Sequence, residues 1–249
     1  MSHTYKKNYL KQVIFRLDFE STELTNFEEY RQLAGDLFDD ISKKKGKVGN
    51  FEFQVDSGEV INSVEEIDVW HFLNTTNGNR LEIGPSYLVL EYFSYKDSSA
   101  IKDYISKMCI KFLNDHSVKQ LIRMGLRYIN NLEFDSVRKL QDWKAYISSD
   151  LLVVHEFIGS KDRVPLRILN QFEYKTDSCS AIFKYGIWND KYPSPILRSS
   201  YILDIDCYTP RPVDTDLDAI LKSFTDLKDE AESIFELSIT DKVRKEMEK

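Results

Sequence analysis

The sequence predicts an α+β fold of two pseudo-repeated strand-helix-three-strand-helix units, with antiparallel sheets covered by helices. Segments of period two alternate along the chain with apolar stripes at helical spacing, which indicates strands and helices in turn. The order of these patterns between Lys11 and Leu113 recurs between Leu121 and Phe235. We therefore predict an N-terminal unit at 1–118 and a C-terminal unit at 119–249, arranged in one sheet or in two.

The first unit begins with a strand and a helix. Residues 12–20 alternate, and period two with aromatic and β-branched side chains is typical of a strand with one buried face. Thr25 or Asn26 then caps a helix whose first turn carries Glu28 and Glu29, where acidic groups favour the positive end of the helix dipole. A basic loop is predicted at 43–47, after the apolar stripe Phe27, Tyr30, Leu33, Ala34, Leu37, Phe38 and Ile41.

Strands and a second helix complete the first unit. Strand patterns cover 51–56, 66–74 and 80–95, the last interrupted at Gly84-Pro85. Asn77-Gly78 favours a tight hairpin turn, because both residues accept the positive backbone angles of primed turns. The helix that follows carries the apolar stripe Ile101, Tyr104, Ile105, Met108, Cys109, Phe112 and Leu113.

The second unit repeats this order. An opening strand at 120–129 precedes a helical pattern from Val137 to Leu151, and three strands follow at 166–174, 180–188 and 200–208. Asp214 or Thr215 opens a long final helix, and the charged residues after Thr240 predict a frayed end. The inward positions of that helix are Leu217, Ile220, Leu221, Phe224, Leu227, Ala231, Ile234, Phe235 and Leu237.

Composition bounds the class of protein. The chain of 249 residues is 42% hydrophobic, enough for a sizeable core, and no apolar segment approaches the roughly 20 residues of a membrane-spanning helix. The polar first ten residues and three dispersed cysteines favour a cytoplasmic protein with reduced, buried thiols. A net charge of −7 argues against a general nucleic-acid or anionic-membrane binder.

Acidic residues concentrate toward the end of the chain. Residues 214–249 hold eleven acidic and six basic side chains, which account for −5 of the net charge. An acidic final helix is either a surface for a basic partner or an ordinary solvated helix face.

Motifs of catalysis and cofactor binding are not found in the sequence. No phosphate loop, dinucleotide fingerprint or nucleophile elbow occurs, and the four histidines lack the spacing of a metal site. His155, beside apolar residues, is interpreted as structural. We therefore expect no metal and no cofactor, and the sequence leans away from an enzyme without deciding the matter.

Carboxylates on the last predicted strand form the best polar cluster. Asp204 and Asp206 are two residues apart and share one strand face, and Glu173 on a neighbouring strand belongs near them. Such a group suits a divalent cation or a basic ligand. The alternative is a solvated face, or ion pairs with Arg127 or Arg167.

Several segments together carry a family resemblance. They are the opening Tyr9-Leu-Lys-Gln-Val-Ile-Phe-Arg-Leu-Asp-Phe19, the central Gly125-Leu-Arg-Tyr-Ile-Asn130, and the strand 201–206 with the ending 234–241. The chain resembles a sporadically distributed bacterial TIGR-type family of uncharacterised proteins of about this length. It departs from the family pattern at Leu10 and Gln12, where proline and glutamate are usual, which puts any role for a carboxylate there in doubt.

The resemblance implies a bacterial cytoplasmic protein. A patchy distribution is similar to that of toxin–antitoxin pairs and phage-defence operons, which is an association and not a mechanism. No catalytic residue is carried over. Arg127, Tyr128 and Asn130 are candidate binding residues as motif members, and Arg127 serves either as an ion-pair partner of Asp204 or Asp206 or as a ligand clamp.

Three functional hypotheses result. The first is a non-enzymatic binding protein, the neutralising or sensing member of a two-gene module, with a protein partner encoded nearby. The second is a small-ligand or metal-dependent enzyme or sensor with a polar site between the halves, at Arg127, Glu173, Asp204 and Asp206. The third, nucleic-acid binding through 43–47 and Arg123, is disfavoured by the net charge. No membrane partner is expected.

Overall fold

The computed structural model describes residues 5–54, 59–153, 157–158, 165–189, 191–194 and 200–249, and for 47–54 and 59–65 it describes the backbone alone. The strands are β1 (Leu10–Phe19), β2 (Asp40–Gln54), β3 (Glu59–Leu73), β4 (Arg80–Gly84), β5 (Tyr87–Tyr92), β6 (Gln120–Leu132), β7 (Ile168–Lys175), β8 (Ser180–Ile187), β9 (Tyr201–Tyr208) and β10 (Val213–Asp214). The helices are α1 (Phe27–Ala34), α2 (Ser99–Tyr104), α3 (Ile110–Asp115), α4 (Leu217–Ser238) and α5 (Asp241–Met247). A π-helical turn (Ile105–Cys109) joins α2 to α3, and 3-10 turns occupy Leu140–Ala145 and Ser149–Leu151.

The strands form one antiparallel ten-stranded sheet. Its order is β2-β3-β4-β5-β1-β6-β9-β8-β7, with the short β10 paired to β6. The predicted fold class of two repeated units with their own strand-helix-three-strand-helix order is therefore wrong. Four strands follow α1 in the chain before the next helix, and 3-10 turns take the place of the predicted helix in the second half.

The central position of β1 explains why the sheet is single. Each strand has two hydrogen-bonding edges, and β1 uses one for β5 and the other for β6. Phe15 lies opposite Leu90 on one side and opposite Leu126 on the other. Periodicity reveals that a segment is a strand but does not reveal which strands its edges meet, so the sequence left this point open.

The predicted basic loop at 43–47 is wrong, because these residues lie in β2. The helix that precedes them ends at Ala34, well before the Ile41 of the predicted stripe. The ladder with β3 supplies the backbone hydrogen bonds and places charges opposite each other, as in the 2.7 Å ion pair between Lys45 Nζ and Asp68 Oδ1. Lys43 Nζ lies over the Phe27 ring at 4.8 Å. Cross-strand partners thus overrode the local composition.

The helix predicted between Val137 and Leu151 is also wrong. Two short 3-10 turns form instead. The Asp142 carboxylate accepts hydrogen bonds from the backbone N–H groups of Arg138 and Lys139, at 2.8 and 2.9 Å. Such local side-chain bonds compete with a regular helix, and the apolar spacing could not reveal them. Trp143 is nevertheless fully buried, as an inward position requires.

The two faces of the sheet differ in chemistry. The alternation predicted for β1 is confirmed, since Val13, Phe15 and Leu17 are fully buried and the side chains between them are partly exposed. Described helices pack on the buried side, which we call the helix face, as when Phe224 of α4 meets Phe15 edge to face at 5.9 Å. The opposite side, which carries Arg16 and Asp18, is called the open face.

The final helices confirm some predictions and correct others. Helix α4 packs against β6 and β9, and its N-cap is Asp216, whose Oδ1 accepts from the Ala219 N–H at 2.9 Å. Leu237, predicted inward, is 76% exposed. The predicted frayed end is instead α5, which buries Val243 and Met247.

Two further predictions concern the whole chain. All three cysteines (Cys109, Cys179 and Cys207) are buried and in the thiol form, as predicted. Among the described residues, no helix has both the length and the hydrophobicity needed to cross a membrane.

Candidate functional site

The central motif of the sequence contributes to both faces of the sheet. Side chains alternate along β6, so Arg127 lies on the open face while Tyr128 and Asn130 lie on the helix face. The six candidate residues of the sequence analysis therefore do not form one site. Arg127, Asp204, Asp206 and Glu173 share the open face, and the other two line a cleft.

Arg127 and Asp204 form the ion pair that the sequence offered as one alternative. Arg127 Nε donates to Asp204 Oδ1 and Arg127 Nη2 donates to Asp204 Oδ2, both at 2.6 Å. This bidentate geometry is the strongest form of an arginine–carboxylate pair. The Asp204 side chain is only 12% exposed, so the guanidinium compensates a carboxylate that has largely lost its water. The hydrogen bonds that Arg127 donates to Asp204 raise the pKa of Arg127.

Asp206 is held less tightly. Its closest cation is Arg123, with Nη2 at 3.5 Å from Oδ2, and the Arg123 guanidinium also lies 4.5 Å from the centre of the Tyr208 ring. Burial raises the pKa of the Asp206 carboxyl above its usual value, although Arg123 and Arg127 oppose this shift. The charged form of Asp206 is therefore a cost to the folded state.

Glu173 does not join this group. It lies opposite Ile182, which lies opposite Asp206, so two strand spacings of about 4.8 Å each separate the carboxylates. Its Oε1 accepts from Gln171 Nε2 at 3.0 Å. Arg167, the other predicted partner of the aspartates, instead stacks over the Tyr192 ring at 4.6 Å. The open face thus carries a charged row on a sheet surface.

Replacing Asp206 with asparagine is expected to stabilise the protein at neutral pH. An acid whose folded-state pKa is raised costs stability above that pKa, and the cost vanishes below the unfolded value of about 3.9. We expect the Asp206→Asn variant to melt about 2 °C higher at pH 7 and at nearly the same temperature as the parent at pH 4. Differential scanning calorimetry across this pH range measures the difference.

Asp204→Asn is the matched control for this experiment. It removes half of the bidentate partner of Arg127, so we expect lower stability at pH 7. A Tm gain at Asp206→Asn that persists unchanged at pH 4 would contradict the assigned cause.

Metal ligation and the histidines are the remaining candidates. No three His, Cys, Asp or Glu side chains in the described parts of the chain are grouped so as to hold a metal ion. His116 is structural: it stacks on Phe112 at 4.1 Å, its Nδ1 lies 3.0 Å from the Phe112 carbonyl, and its Nε2 accepts from the Thr25 N–H at 3.3 Å. His155 lies outside the described residues.

A cleft of about 740 Å³ opens on the helix face, beside the other half of the motif. The first described residues, the segment after β5, strand β6 and helix α4 form its walls. We call it the tyrosine cleft, and its lining residues are Tyr5, Asn8, Tyr9, Leu10, Tyr95, Lys96, Asp97, Ser98, Tyr128, Asn130, Lys228, Asp229, Glu232, Ser233, Phe235, Glu236 and Met247.

Phenol groups dominate the inner part of the tyrosine cleft. The hydroxyls of Tyr95 and Tyr128 face each other at 3.4 Å, and Tyr128 is only 5% exposed. Burial raises the pKa of Tyr95 to about 12, and it raises the pKa of Tyr128 well above its ordinary value. Both groups therefore remain neutral phenols at physiological pH and act through hydrogen bonds and ring faces.

Asn130 supplies a buried amide to the tyrosine cleft. Its Nδ2 donates to the Leu203 carbonyl at 3.3 Å, and the residue is 3% exposed. A carbonyl oxygen only accepts, so this bond fixes which end of the amide is the NH₂ group. The amide oxygen Oδ1 therefore remains as a hydrogen-bond acceptor.

Helix α4 contributes the charged wall of the tyrosine cleft. Lys228, Glu232 and Glu236 follow at intervals of four residues, which places them along one helix face. Lys228 Nζ lies 2.7 Å from Glu232 Oε1, and Tyr5 donates its hydroxyl to Glu236 Oε1 at 2.7 Å. Arg244 of α5 also binds Glu236, through Nε at 2.8 Å.

Sequence reasoning identified part of this cleft. Tyr128 and Asn130 were singled out as motif members, but Tyr95, Lys228 and Glu232 were not. The available signal was the spacing of 228, 232 and 236 beside the apolar stripe of the final helix, which marks positions at the edge of the buried face. Their meeting with Tyr95 depends on tertiary packing, which no local pattern contains.

Comparisons with known proteins add no further constraint to this geometry. No protein-family model matches the chain, and a search of curated proteins gives no significant match.

Proposed function

We propose that this protein is a non-enzymatic binding protein whose ligand occupies the tyrosine cleft. The observation that carries the proposal is the cleft itself, with its buried Tyr128 and Asn130 at the centre of the motif. A volume of about 740 Å³ fits a small molecule, and ligand sites combine an apolar lining with a few placed polar groups. Leu10, Phe235 and Met247 supply such apolar walls.

The tyrosine chemistry supports binding more than catalysis. A general base at neutral pH needs a pKa near 7, whereas the pKa of Tyr95 is about 12 and that of Tyr5 is also about 12. These phenols donate and accept hydrogen bonds without exchanging protons with a substrate. Fixed hydrogen-bonding groups in a partly enclosed space recognise a ligand and hold it.

The family resemblance supports a biological setting for this activity. It implies a bacterial cytoplasmic protein, and we infer that it is the sensing member of a toxin–antitoxin or phage-defence module with a partner protein encoded nearby. The open face, with the Arg127–Asp204 pair and Asp206, is the surface that we assign to that partner. Ligand in the tyrosine cleft and partner on the open face would then contact opposite sides of β6, through Tyr128 and Arg127.

Affinity purification from the native host tests the proposal. The tagged protein is recovered under gentle conditions, and mass spectrometry identifies the small molecules and proteins that it retains. We expect a bound small molecule that is lost from a Ser233→Trp variant, because the indole fills a cleft that Ser233 lines. The retained proteins report the partner in the same preparation.

Leu237→Trp is the matched control for the plugged cleft. Leu237 lies on the same helix, is 76% exposed and does not line the cleft. This variant should retain the ligand at the parent level. A ligand that both tryptophan variants retain equally would place the binding site elsewhere and refute the proposal.

A further inference from the structure

We propose that the ligand of the tyrosine cleft is an organic cation that carries N–H donors, an alkylammonium or a guanidinium compound. This inference rests on the proposed function, in which the tyrosine cleft is the ligand site. Acceptors, carboxylates and aromatic faces in the cleft all favour such a ligand.

The first observation is the amide oxygen of Asn130. Its NH₂ group is committed to the Leu203 carbonyl, and no donor elsewhere in the described chain hydrogen-bonds to its Oδ1. Asn130 is only 3% exposed, and it lines the cleft. A ligand N–H group in the cleft could donate to this amide oxygen, which has no protein donor among the described residues.

The second observation is the excess of negative charge. Four carboxylates line the cleft (Asp97, Asp229, Glu232 and Glu236), against the lysines Lys96 and Lys228 and the Arg244 guanidinium that pairs with Glu236, which leaves one negative charge in excess. Hydrogen bonds from Ser99 lower the pKa of Asp97, which keeps that carboxylate ionised. Glu232 and Asp97 both raise the pKa of Tyr95, so their field reaches the inner phenols. A cation is attracted by this field and an anion is repelled.

The third observation is the aromatic lining. Tyrosine rings attract cations to their faces, and they do so most strongly where water is excluded. One lining residue, Tyr9, already makes such a contact with a cation outside the cleft: Lys7 Nζ lies 5.4 Å from the centre of its ring. Tyr95 and Tyr128 stand at 5.9 Å between ring centres and offer further faces within.

Lys228 shows that the wall of the cleft holds an ammonium group. Its side chain is 11% exposed, and Nζ contacts Glu232 Oε1 at 2.7 Å and Asp229 Oδ1 at 3.7 Å. A ligand ammonium would meet the same carboxylates and compete with Lys228 for them. Removal of the lysine amine should therefore strengthen the binding of a cation and weaken the binding of an anion. The change in affinity thus distinguishes a cationic ligand from an anionic one.

Isothermal titration calorimetry of the full chain tests the inference. The probes are spermidine and agmatine as organic cations and citrate as an anion of similar size. We expect both cations to bind, about tenfold more tightly to Lys228→Met and about tenfold more weakly to Glu232→Gln. Binding should weaken as salt is added, because the attraction is partly electrostatic. Citrate should not bind.

A further variant, Asp97→Asn, tests the inference if Lys228→Met or Glu232→Gln fails to fold. Asp97 is exposed and asparagine can still accept from the Ser99 N–H, so this variant should fold and should bind both cations more weakly. Circular dichroism verifies the fold of each variant before titration.

The outcomes separate this inference from the proposed function. Citrate binding that is lost in Lys228→Met would overturn the cationic ligand while the cleft remained a ligand site. The cationic ligand is also overturned if none of the probes binds and the preparation from the native host retains an anionic or neutral molecule that Ser233→Trp excludes. In that case too, the cleft remains a ligand site. If no molecule enters the cleft in either experiment, both proposals fail.

Discussion

Trp143→Ala is expected to lower the free energy of unfolding by about 3–5 kcal/mol, the usual cost of truncating a fully buried tryptophan. The indole packs against Tyr201 of β9 at 5.1 Å between ring centres, and against Phe134 and Tyr146 at 6.2 Å. The indole is carried by a short 3-10 turn, a conformation that is less stable than an α-helix, so the buried side chain anchors the segment.

The loss should extend beyond the turn. Ile147 forms a β-bridge with Ile239, and the Ser148 N–H donates to the Ser238 carbonyl at 2.9 Å, so the segment also holds the junction between α4 and α5. Urea denaturation measures the change in stability, and hydrogen exchange at 140–151 and 239–247 measures its spread.

Trp188→Ala is the control for size and residue type. Trp188 is 45% exposed, so its truncation should cost less than about 1 kcal/mol. Equal losses at the two tryptophans would show that burial in the aromatic cluster is not the source of the effect.

Gly186→Ala is expected to cost about 3–4 kcal/mol, the second large effect in this fold. Gly186 has φ +140°, a backbone conformation that residues other than glycine rarely adopt. An added Cβ would lie 2.1 Å from the Ile168 carbonyl oxygen and 2.9 Å from its carbon. Because these are backbone atoms of the neighbouring strand, β7 must move away from β8.

The expected result is a lower midpoint of urea denaturation together with faster hydrogen exchange in β7. Gly35→Ala provides the control, since Gly35 has φ −59° and its nearest neighbour to an added Cβ is the Gln32 carbonyl oxygen at 3.4 Å. That variant should stay within about 0.5 kcal/mol of the parent. If both glycine variants matched the parent, the strain assigned to position 186 would be refuted.

Local sequence patterns predicted the buried positions correctly where one face of a strand or helix packs against the core. The alternation of β1 and the apolar stripe from Ile101 to Leu113 correctly predicted the buried positions, because burial on one face leaves a period in the sequence. The same logic failed at Leu237, which is exposed although Ile234 and Ser238 on either side of it are buried. It also failed at 137–151, where the Asp142 side chain bonds the backbone.

Pairing and tertiary contacts lay beyond the reach of periodicity. The sequence placed Arg127 on one strand face and offered Asp204 or Asp206 as its partner, and the structure selects Asp204. Alternation along the strands places all three side chains on one face, but it does not choose between the two aspartates, because Asp206 lies directly opposite Arg127 and the pair forms with Asp204. The tyrosine cleft needs Tyr95 and Glu232 together, from segments more than a hundred residues apart, and no local signal encodes that meeting.

The place of β1 at the centre of the sheet bears on how the chain is made in the cell. Its ladder with β6 joins Phe15 to Leu126, so β1 leaves the ribosome about 110 residues before its second neighbour exists. At translation rates of about 5–20 residues per second, one edge of β1 waits for roughly 5–20 seconds. An apolar strand with an open edge invites pairing with other chains. Arg16 and Asp18, linked by a 2.6 Å ion pair on one face of β1, place charge beside that edge and would guard the nascent chain until its neighbour is made.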